Sequence, residues 1–337
     1  MNAQHKSTCL AIFSGGLDSL LSVKVMQDLG FNVVLLNFDI GFYFDAYTEE
    51  NSVKKYKEPL PEGFNVNVID IAEEFYEMIK KPAHGFGKNM NPCIDCKILM
   101  LRKAKSLMEK YNAGFVISGE VLGQRPMTQN IRSMKIIEKE SGLEGYLLRP
   151  LSAKCLAPTE PEKAGWVERE KLLDIQGRSR KRQLALAKEL GLEKFIKPPA
   201  GGCILTDKIY SNRLRDYLGF NSELRTPNSE FRLLSIGRHF RKDELKFVIG
   251  RNEKDNNELL KLSQGAWIFD CKEEPGPITL TMNDINDEEK KFLAGATAGY
   301  SKGKDKGQVE VIISKDGKEE TIKIKPIQKE EIKKYMI

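Results

Sequence analysis

The chain has no stretch approaching the roughly 20 consecutive apolar residues that cross a bilayer. Its first residues, Met1-Asn2-Ala3-Gln4-His5-Lys6, lack the apolar core of a secretion signal. The sequence therefore predicts a cytoplasmic protein with no membrane partner. Histidine is scarce: His5, His84 and His239 are the only three and are scattered, so no Cys/His zinc site can be completed by spacing. Six cysteines in 337 residues are too few for a disulfide scaffold, and in a reducing compartment any that cluster point to metal binding or catalysis. A Walker A Gly-Lys-Ser/Thr and a dinucleotide GxGxxG are also missing. No strong charge excess exists either; the formal net charge of +6 permits a polyanionic partner without identifying one. There is no long internal period, since Ile-Gly-Arg at 236–238 and 249–251 reads as two similar turns. What remains is a folded chain, 40% hydrophobic, long enough for two domains.

Near the start lies Ser14-Gly15-Gly16-Leu17-Asp18-Ser19, between the apolar run Cys9–Phe13 and an apolar set at helical spacing that ends before Gly30. This is a strand, a glycine turn and a helix. Adjacent glycines let backbone approach a bulky anion, and the N–H groups opening the helix, with the Ser14 and Ser19 hydroxyls, can hold phosphate oxygens. Asn32–Phe38 reads as a second, parallel strand. Asp39 follows it on the side where open α/β sheets bind ligands, so the sequence predicts a nucleotide contact there. Further strands are expected over Asn65–Asp70 and Gly114–Glu120, with helices over Ala72–Lys81 and about Asp95–Tyr111. The alternation predicts a doubly wound parallel α/β sheet over residues 1–155. Residues 156–205 read as a linker with a charged helical stretch from Trp166 to Leu192, and 206–337 as a smaller α+β domain ending in a hairpin about Lys315-Asp316-Gly317-Lys318.

Cys93 and Cys96 stand at CxxC spacing at the mouth of the helix, where the helix dipole is expected to lower thiol pKa values. Cys203, in the Pro- and Gly-rich loop from Lys197, is the third candidate ligand. Three cysteines leave a fourth position open, an arrangement an iron–sulfur cluster accepts; a redox or persulfide pair and inert thiols stay open as alternatives. Cys9, Cys155 and Cys271 read as structural. Arg178, Arg180, Lys181 and Arg182, with Arg238, His239, Arg241 and Arg251, are candidate phosphate contacts for RNA, and Tyr300 or Phe240 candidate stacking partners. For 178–182 a solvated helix face is the competing reading.

Taken together, the SGGxDS loop, Asn91-Pro92 with Cys96-Lys97, Ser118-Gly119-Glu120, Arg149-Pro150-Leu151 and Gly202-Cys203 resemble the tRNA thiolation branch of the PP-loop ATP pyrophosphatases, over roughly the first 205 residues. In tRNA 2-thiouridylases of the persulfide type, positions matching Cys96 and Cys203 are catalytic. Here the additional Cys93 departs from that pattern and is similar to the cluster-dependent tRNA thiolases. The resemblance implies a PP-loop, adenine nucleotide alpha-hydrolase-like fold. It implies ATP held by Ser14, Gly15, Gly16, Asp18, Ser19, Asp39 and Gly119, Mg²⁺ with Asp18, and a [4Fe-4S] cluster on Cys93, Cys96 and Cys203, with Zn²⁺ or a persulfide alone as alternatives. It implies tRNA as substrate, activated by AMP transfer to a nucleobase oxygen, and a sulfur donor such as sulfide, a cysteine desulfurase or a sulfur carrier. Whether the chain is a homodimer stays open, as does sulfur removal instead of insertion. Two other classes also stay open: a PP-loop enzyme adenylating a small molecule, in the manner of amidotransferases or synthases, and a nucleotide-binding regulatory module. The second half is similar to an RNA-binding module of ribosome-associated proteins.

Overall fold

The structure, a computed structural model, describes residues 7–43, 46–50, 53–196, 202–220 and 227–337. It divides into two compact units, Met1–Thr206 and Asp207–Ile337. In the first, the elements run β1 (Thr8–Ile12), α1 (Leu17–Asp28), β2 (Asn32–Asp39), β3 (Tyr47–Glu50), β4 (Val53–Tyr56), β5 (Val66–Asp70), α2 (Ala72–Lys80), α3 (Cys93–Leu107), β6 (Phe115–Ser118), α4 (Ile131–Ser141), β7 (Leu147–Leu148), α5 (Glu160–Lys163) and α6 (Lys181–Glu189).

Five strands pair in the order β5-β2-β1-β6-β7, every pair parallel. β1 is central and β6 is buried along its whole length, as continuous apolar runs require when both sheet faces are covered. β5, at the edge, is half-exposed and alternates. α1 is apolar on two sides for a physical reason. Leu20, Val23 and Met26 pack with Cys9, Ala11 and Phe13 of the sheet, while Leu17 and Leu21 pack with Ala187 of α6. Chain order reverses between β1 and β6, so the loops leaving their carboxyl ends, 13–16 and 119–130, open at the switch point where such sheets bind ligands.

Two segments depart from the sequence reading. β3 and β4 form a hairpin between β2 and β5, in a stretch with no apolar pattern. It is assembled from cross-strand partners instead, Glu49 opposite Lys54 and Tyr47 opposite Tyr56. The stretch from Trp166 is not one helix: Arg169–Lys171 makes a single 3-10 turn, Leu172 and Ile175 are buried as anchors, Gly177 takes φ +86°, and the α-helix begins only at Lys181. Burying those two apolar side chains against the sheet domain outweighs local helix propensity.

The second unit contains α7 (Lys208–Phe220), α8 (Pro227–Ser235), β8 (Arg238–Lys242), β9 (Leu245–Ile249), α9 (Glu253–Lys261), β10 (Trp267–Cys271), β11 (Thr279–Thr281), α10 (Asp287–Tyr300), β12 (Val309–Lys315), β13 (Lys318–Ile324) and α11 (Lys329–Lys333). Its six strands form an antiparallel sheet ordered β13-β12-β10-β11-β9-β8. The β12–β13 turn has Asp316 at φ 50° and Gly317 at φ 79°, the two positive values that a tight Asp-Gly hairpin turn requires. α10 packs Leu293, Ala294, Ala296 and Ala298 into the core with Phe240, Phe247 and Phe269.

Candidate active site

β1 leads directly into the glycine turn. Gly15 takes φ +71°, and Gly16 is the N-cap of α1 without a side-chain cap, so the N–H groups of the first turn lack a capping side chain. Ser14 Oγ donates to Ser19 Oγ at 3.3 Å, and Ser19 Oγ donates to the Gly16 carbonyl at 2.8 Å. Both hydroxyls therefore line the turn. A Cβ on Gly119 would lie 2.6 Å from the Asp18 carbonyl and the Ser19 nitrogen, so the end of β6 is pressed against the start of α1. Asp18 Oδ2 accepts from Gln124 Nε2 at 2.8 Å, while Oδ1 is buried without a partner. Burial raises the Asp18 pKa against the pull of that hydrogen bond and of the Arg180 and Arg125 charges.

Asp39 is buried at the end of β2. Its Oδ1 accepts from the Gly41 N–H at 2.8 Å and its Oδ2 meets Lys54 Nζ at 2.5 Å. Lys54 also reaches Asp70 Oδ2 at 2.5 Å, so the hairpin lysine neutralises two neighbouring strand ends. Asp39 is thus ion-paired to the hairpin lysine. The same hairpin sends Tyr47 Oη to Asn37 Oδ1 at 2.7 Å and sets Tyr56 edge-on to Phe13, with its hydroxyl where a Gly15 Cβ would be. Sequence reasoning missed these residues. The signal was Glu49-Glu50 and Lys54-Lys55 on either side of Asn51-Ser52.

The thiols come from two places. Cys93 and Cys96 occupy the first turn of α3, whose Asp95 accepts from the Ala83 and His84 N–H groups and so anchors the preceding loop. Cys203 precedes a 3-10 turn, Ile204–Thr206, that Asn89 Nδ2 ties back through the Thr206 carbonyl at 2.6 Å. Residues 197–201, the first part of the loop expected to carry it, lie outside the described residues. The charges of Cys203 and Cys93 both bear on Cys96. Asn91 Nδ2 donates to Cys93 Sγ at 3.3 Å, and Cys203 takes hydrogen bonds from the Tyr43 hydroxyl and the Leu205 backbone. The expected dipole effect is overturned at Cys96: burial, then the neighbouring Cys203, pushes its pKa up to about 12 despite Lys97. Burial likewise raises Cys203. Among the described residues no three His, Cys, Asp or Glu side chains converge as ligands of a single metal ion. Of the remaining cysteines, Cys9 and Cys271 are buried, and Cys155 Sγ donates to the Asp174 carbonyl at 3.3 Å.

The loop after β6 joins these two half-sites. Gln124 holds Asp18; the Arg125 charge bears on both Asp18 and Cys203; Met127 Sδ accepts from Asn91 Nδ2, the side chain that also meets Cys93, at 3.4 Å. A buried charge network underlies it. Glu120, 3% exposed, accepts from Arg149 Nε at 3.1 Å and faces Lys97 Nζ at 3.7 Å, while Arg149 also pairs with Glu138. Burial opposes ionisation of Glu120, yet the Lys97 and Arg149 charges win and hold its pKa below the usual carboxylate range. Lys97, next to Cys96, is thereby tied to the strand end beside Asp18.

The basic candidates disperse. Arg178 and Lys181 are exposed, Arg182 pairs with Asp174 at 2.5 Å, and Arg180 lies by Asp18. In the second unit Arg238 donates to the Gly250 carbonyl at 2.9 Å and stacks over Tyr300, and Arg251 pairs with Asp255 at 2.6 Å. Three expectations fail there. His239 is fully buried, its Nε2 facing the Ile236 carbonyl at 2.9 Å, and burial followed by the Arg213 and Lys246 charges holds its pKa well below the usual value. Phe240 is fully buried and has no face for a base. Arg241 is held bidentately by Asp216.

Residues 4–154 match the family model described as thiamine biosynthesis protein (ThiI). The first unit's parallel sheet with its glycine turn resembles the PP-loop α/β fold. A probable tRNA sulfurtransferase of Thermococcus kodakarensis is 28% identical over 148 residues, covering 42% of this chain and 36% of that protein. An argininosuccinate synthase of Bacillus velezensis is 31% identical over 123 residues, covering 35% of this chain and 29% of that protein. The tRNA-specific 2-thiouridylase MnmA of Campylobacter fetus is 35% identical over 97 residues, covering 26% of each. The likeness therefore spans little more than a third of any of these relatives at most. Residues 237–336 match a different family model, the NFACT protein RNA binding domain. Among the described residues, no helix is long and apolar enough to cross a membrane.

Proposed function

We propose that this protein is an ATP-dependent tRNA sulfurtransferase: it transfers AMP to a nucleobase carbonyl oxygen of tRNA and replaces that oxygen with sulfur. The observation that carries this reading is the 124–127 loop, which touches Asp18 of the PP-loop and, through Asn91, the cysteine cluster. An adenylating site and a sulfur site joined by one short loop suit a two-step displacement at a single carbon. A uracil-type carbonyl is a poor electrophile; attack of its oxygen on the α-phosphorus expels pyrophosphate and leaves AMP as the group that sulfur then displaces.

In this reading Ser14, Gly15, Gly16 and Ser19 bind the phosphates, and Gly119 keeps β6 tight against them. Asp18 serves Mg²⁺, for which its partnerless Oδ1 is a fitting oxygen ligand. Cys93, Cys96 and Cys203 fit a [4Fe-4S] cluster on two grounds. Cys96 and Cys203 are held above the usual thiol range by burial and by the neighbouring thiols, a cost that a cationic group among them reverses, and Cys93 and Cys203 already receive hydrogen bonds that would suit bound thiolates. Bound there, the cluster would keep one iron without a protein ligand, open to an exogenous sulfide. Cys96 and Cys203 alone, as a persulfide pair, are the alternative. Arg178, Lys181, Arg182, Arg238 and Arg251, with Tyr300 beneath Arg238 and Lys329, are assigned to tRNA, since surface ion pairs such as Arg182–Asp174 exchange readily for phosphate.

A second reading is favoured by one finding, the likeness to argininosuccinate synthase: adenylation of a small molecule, with the CxxC pair structural or zinc-bound. Anaerobic purification followed by an absorption spectrum and iron and zinc analysis separates the two. The cluster reading expects a brown protein with about four irons per chain, lost in Cys93→Ala. A colourless, zinc-loaded protein, or a Cys93→Ala variant that still transfers sulfur, contradicts it.

A further inference from the structure

Gly177-Arg178-Ser179-Arg180-Lys181-Arg182-Gln183 reads in the sequence as a basic patch, but the structure sets its start beside the loop after β6 and joins its end to Asp18. The Gly177 N–H donates to the Leu122 carbonyl at 2.7 Å, and Leu122 and Gln176 form a parallel bridge, so the segment runs beside the loop that carries Gln124. α6 then starts at Arg180, its N-cap, and packs Ala187 against Leu17 and Leu21 of α1. The first turns of both helices thus face one place.

Gln183 is fully buried, and its Nε2 donates to Gln124 Oε1 at 3.1 Å; Gln124 Nε2 in turn donates to Asp18 Oδ2 at 2.8 Å. Because an ionised carboxylate only accepts, the orientation of both amides follows from Asp18. Two buried oxygens are left over, Asp18 Oδ1 and Gln183 Oε1, neither with a partner. Buried acceptors without donors cost free energy unless a cation or its water fills the gap. Arg180 supplies the opposite need. Its charge bears on Asp18, and it makes no ion pair among the described residues, unlike Arg182, which is turned to Asp174.

We infer that Arg180 and Gln183 belong to the nucleotide site and not to the RNA surface: Arg180 is a ligand of the pyrophosphate group, and Gln183 is a positioning residue that, through Gln124, presents Asp18 Oδ1 to the accompanying Mg²⁺. This rests on the PP-loop reading of 14–19. It explains why a buried glutamine follows four basic residues, which a solvated basic face does not require.

The test is titration of inorganic pyrophosphate into the full-length protein with Mg²⁺, beside titration of ATP and of tRNA. Arg180→Ala is expected to weaken pyrophosphate binding about tenfold or more, as loss of a charge-assisted contact does, with tRNA affinity within about twofold, and Arg180→Lys to recover part of the loss. Gln183→Met, similar in volume, is expected to raise the Mg²⁺ needed for half-maximal pyrophosphate binding severalfold while tRNA binding stays unchanged. Undiminished pyrophosphate binding by Arg180→Ala, or a loss confined to tRNA, overturns the inference while wild-type protein still binds ATP. If wild-type protein binds neither ATP nor pyrophosphate, the PP-loop reading itself falls and the inference with it.

Discussion

Gly119 and Glu120 stand side by side at the end of β6 and answer different physical demands. Gly119 gives up its Cβ so that backbone can meet backbone at Asp18 and Ser19. Gly119→Ala is expected to cost about 1–3 kcal/mol, the usual range for overpacking, and to abolish ATP binding, as urea denaturation and nucleotide titration would show. Glu120 keeps its charge while almost fully buried because Lys97 and Arg149 face it. Its pKa is lowered in the folded state, so its contribution is present above the unfolded value of about 4.3 and is lost as pH falls through the folded value. Glu120→Gln leaves Arg149 short of a charge partner and is expected to destabilise the protein at pH 7 by about 3 kcal/mol or more. The deficit should shrink below about pH 4, where wild type loses the same interaction. A deficit independent of pH would show that the carboxylate charge does not hold this network.

Among the elements, β1, α1, β2, β5 and β6 were legible because each carries a strong signal: continuous apolar runs, helical spacing, or alternation at a sheet edge. The β3–β4 hairpin was not, since it is held by Lys54 on Asp39 and Asp70 and by Tyr47 on Asn37, pairings that exist only once β2 and β5 lie side by side. The same cause hid the path of 166–180, fixed by burial of Leu172 and Ile175. At the site, the phosphate turn and the three cysteines could be read from residue types. Gln124, as a polar residue after a strand's carboxyl end, and Lys97, beside Cys96, were legible as candidates, but their partners Asp18 and Glu120, and the parts of Tyr43 and Gln183, were not, because each matters through a partner distant in sequence. Lys54→Gln should therefore loosen the hairpin selectively. Amide exchange over Tyr47–Glu50 is expected to accelerate about tenfold or more, equivalent to roughly 1–2 kcal/mol for a partly exposed double pair, with β1 and β6 unchanged. Uniform acceleration throughout the sheet would mean that the hairpin is not an independently held element.

On the scale of the whole molecule, two units have separate cores. The first combines a PP-loop with three thiols and contains every residue assigned to the chemistry; the second matches an RNA-binding family model and presents Tyr300 under two cations. In the proposed function tRNA is the second reactant, and tRNA affinity should then fall steeply with salt because phosphate contacts release counterions. The most direct measurement is pyrophosphate released from ATP by anaerobically prepared wild-type protein supplied with sulfide, with and without tRNA, counted against thionucleoside recovered from the tRNA. Release that requires tRNA and matches the thionucleoside about one to one is the predicted result. Release triggered by a small molecule in the absence of tRNA, or release with no sulfur entering tRNA, would contradict it.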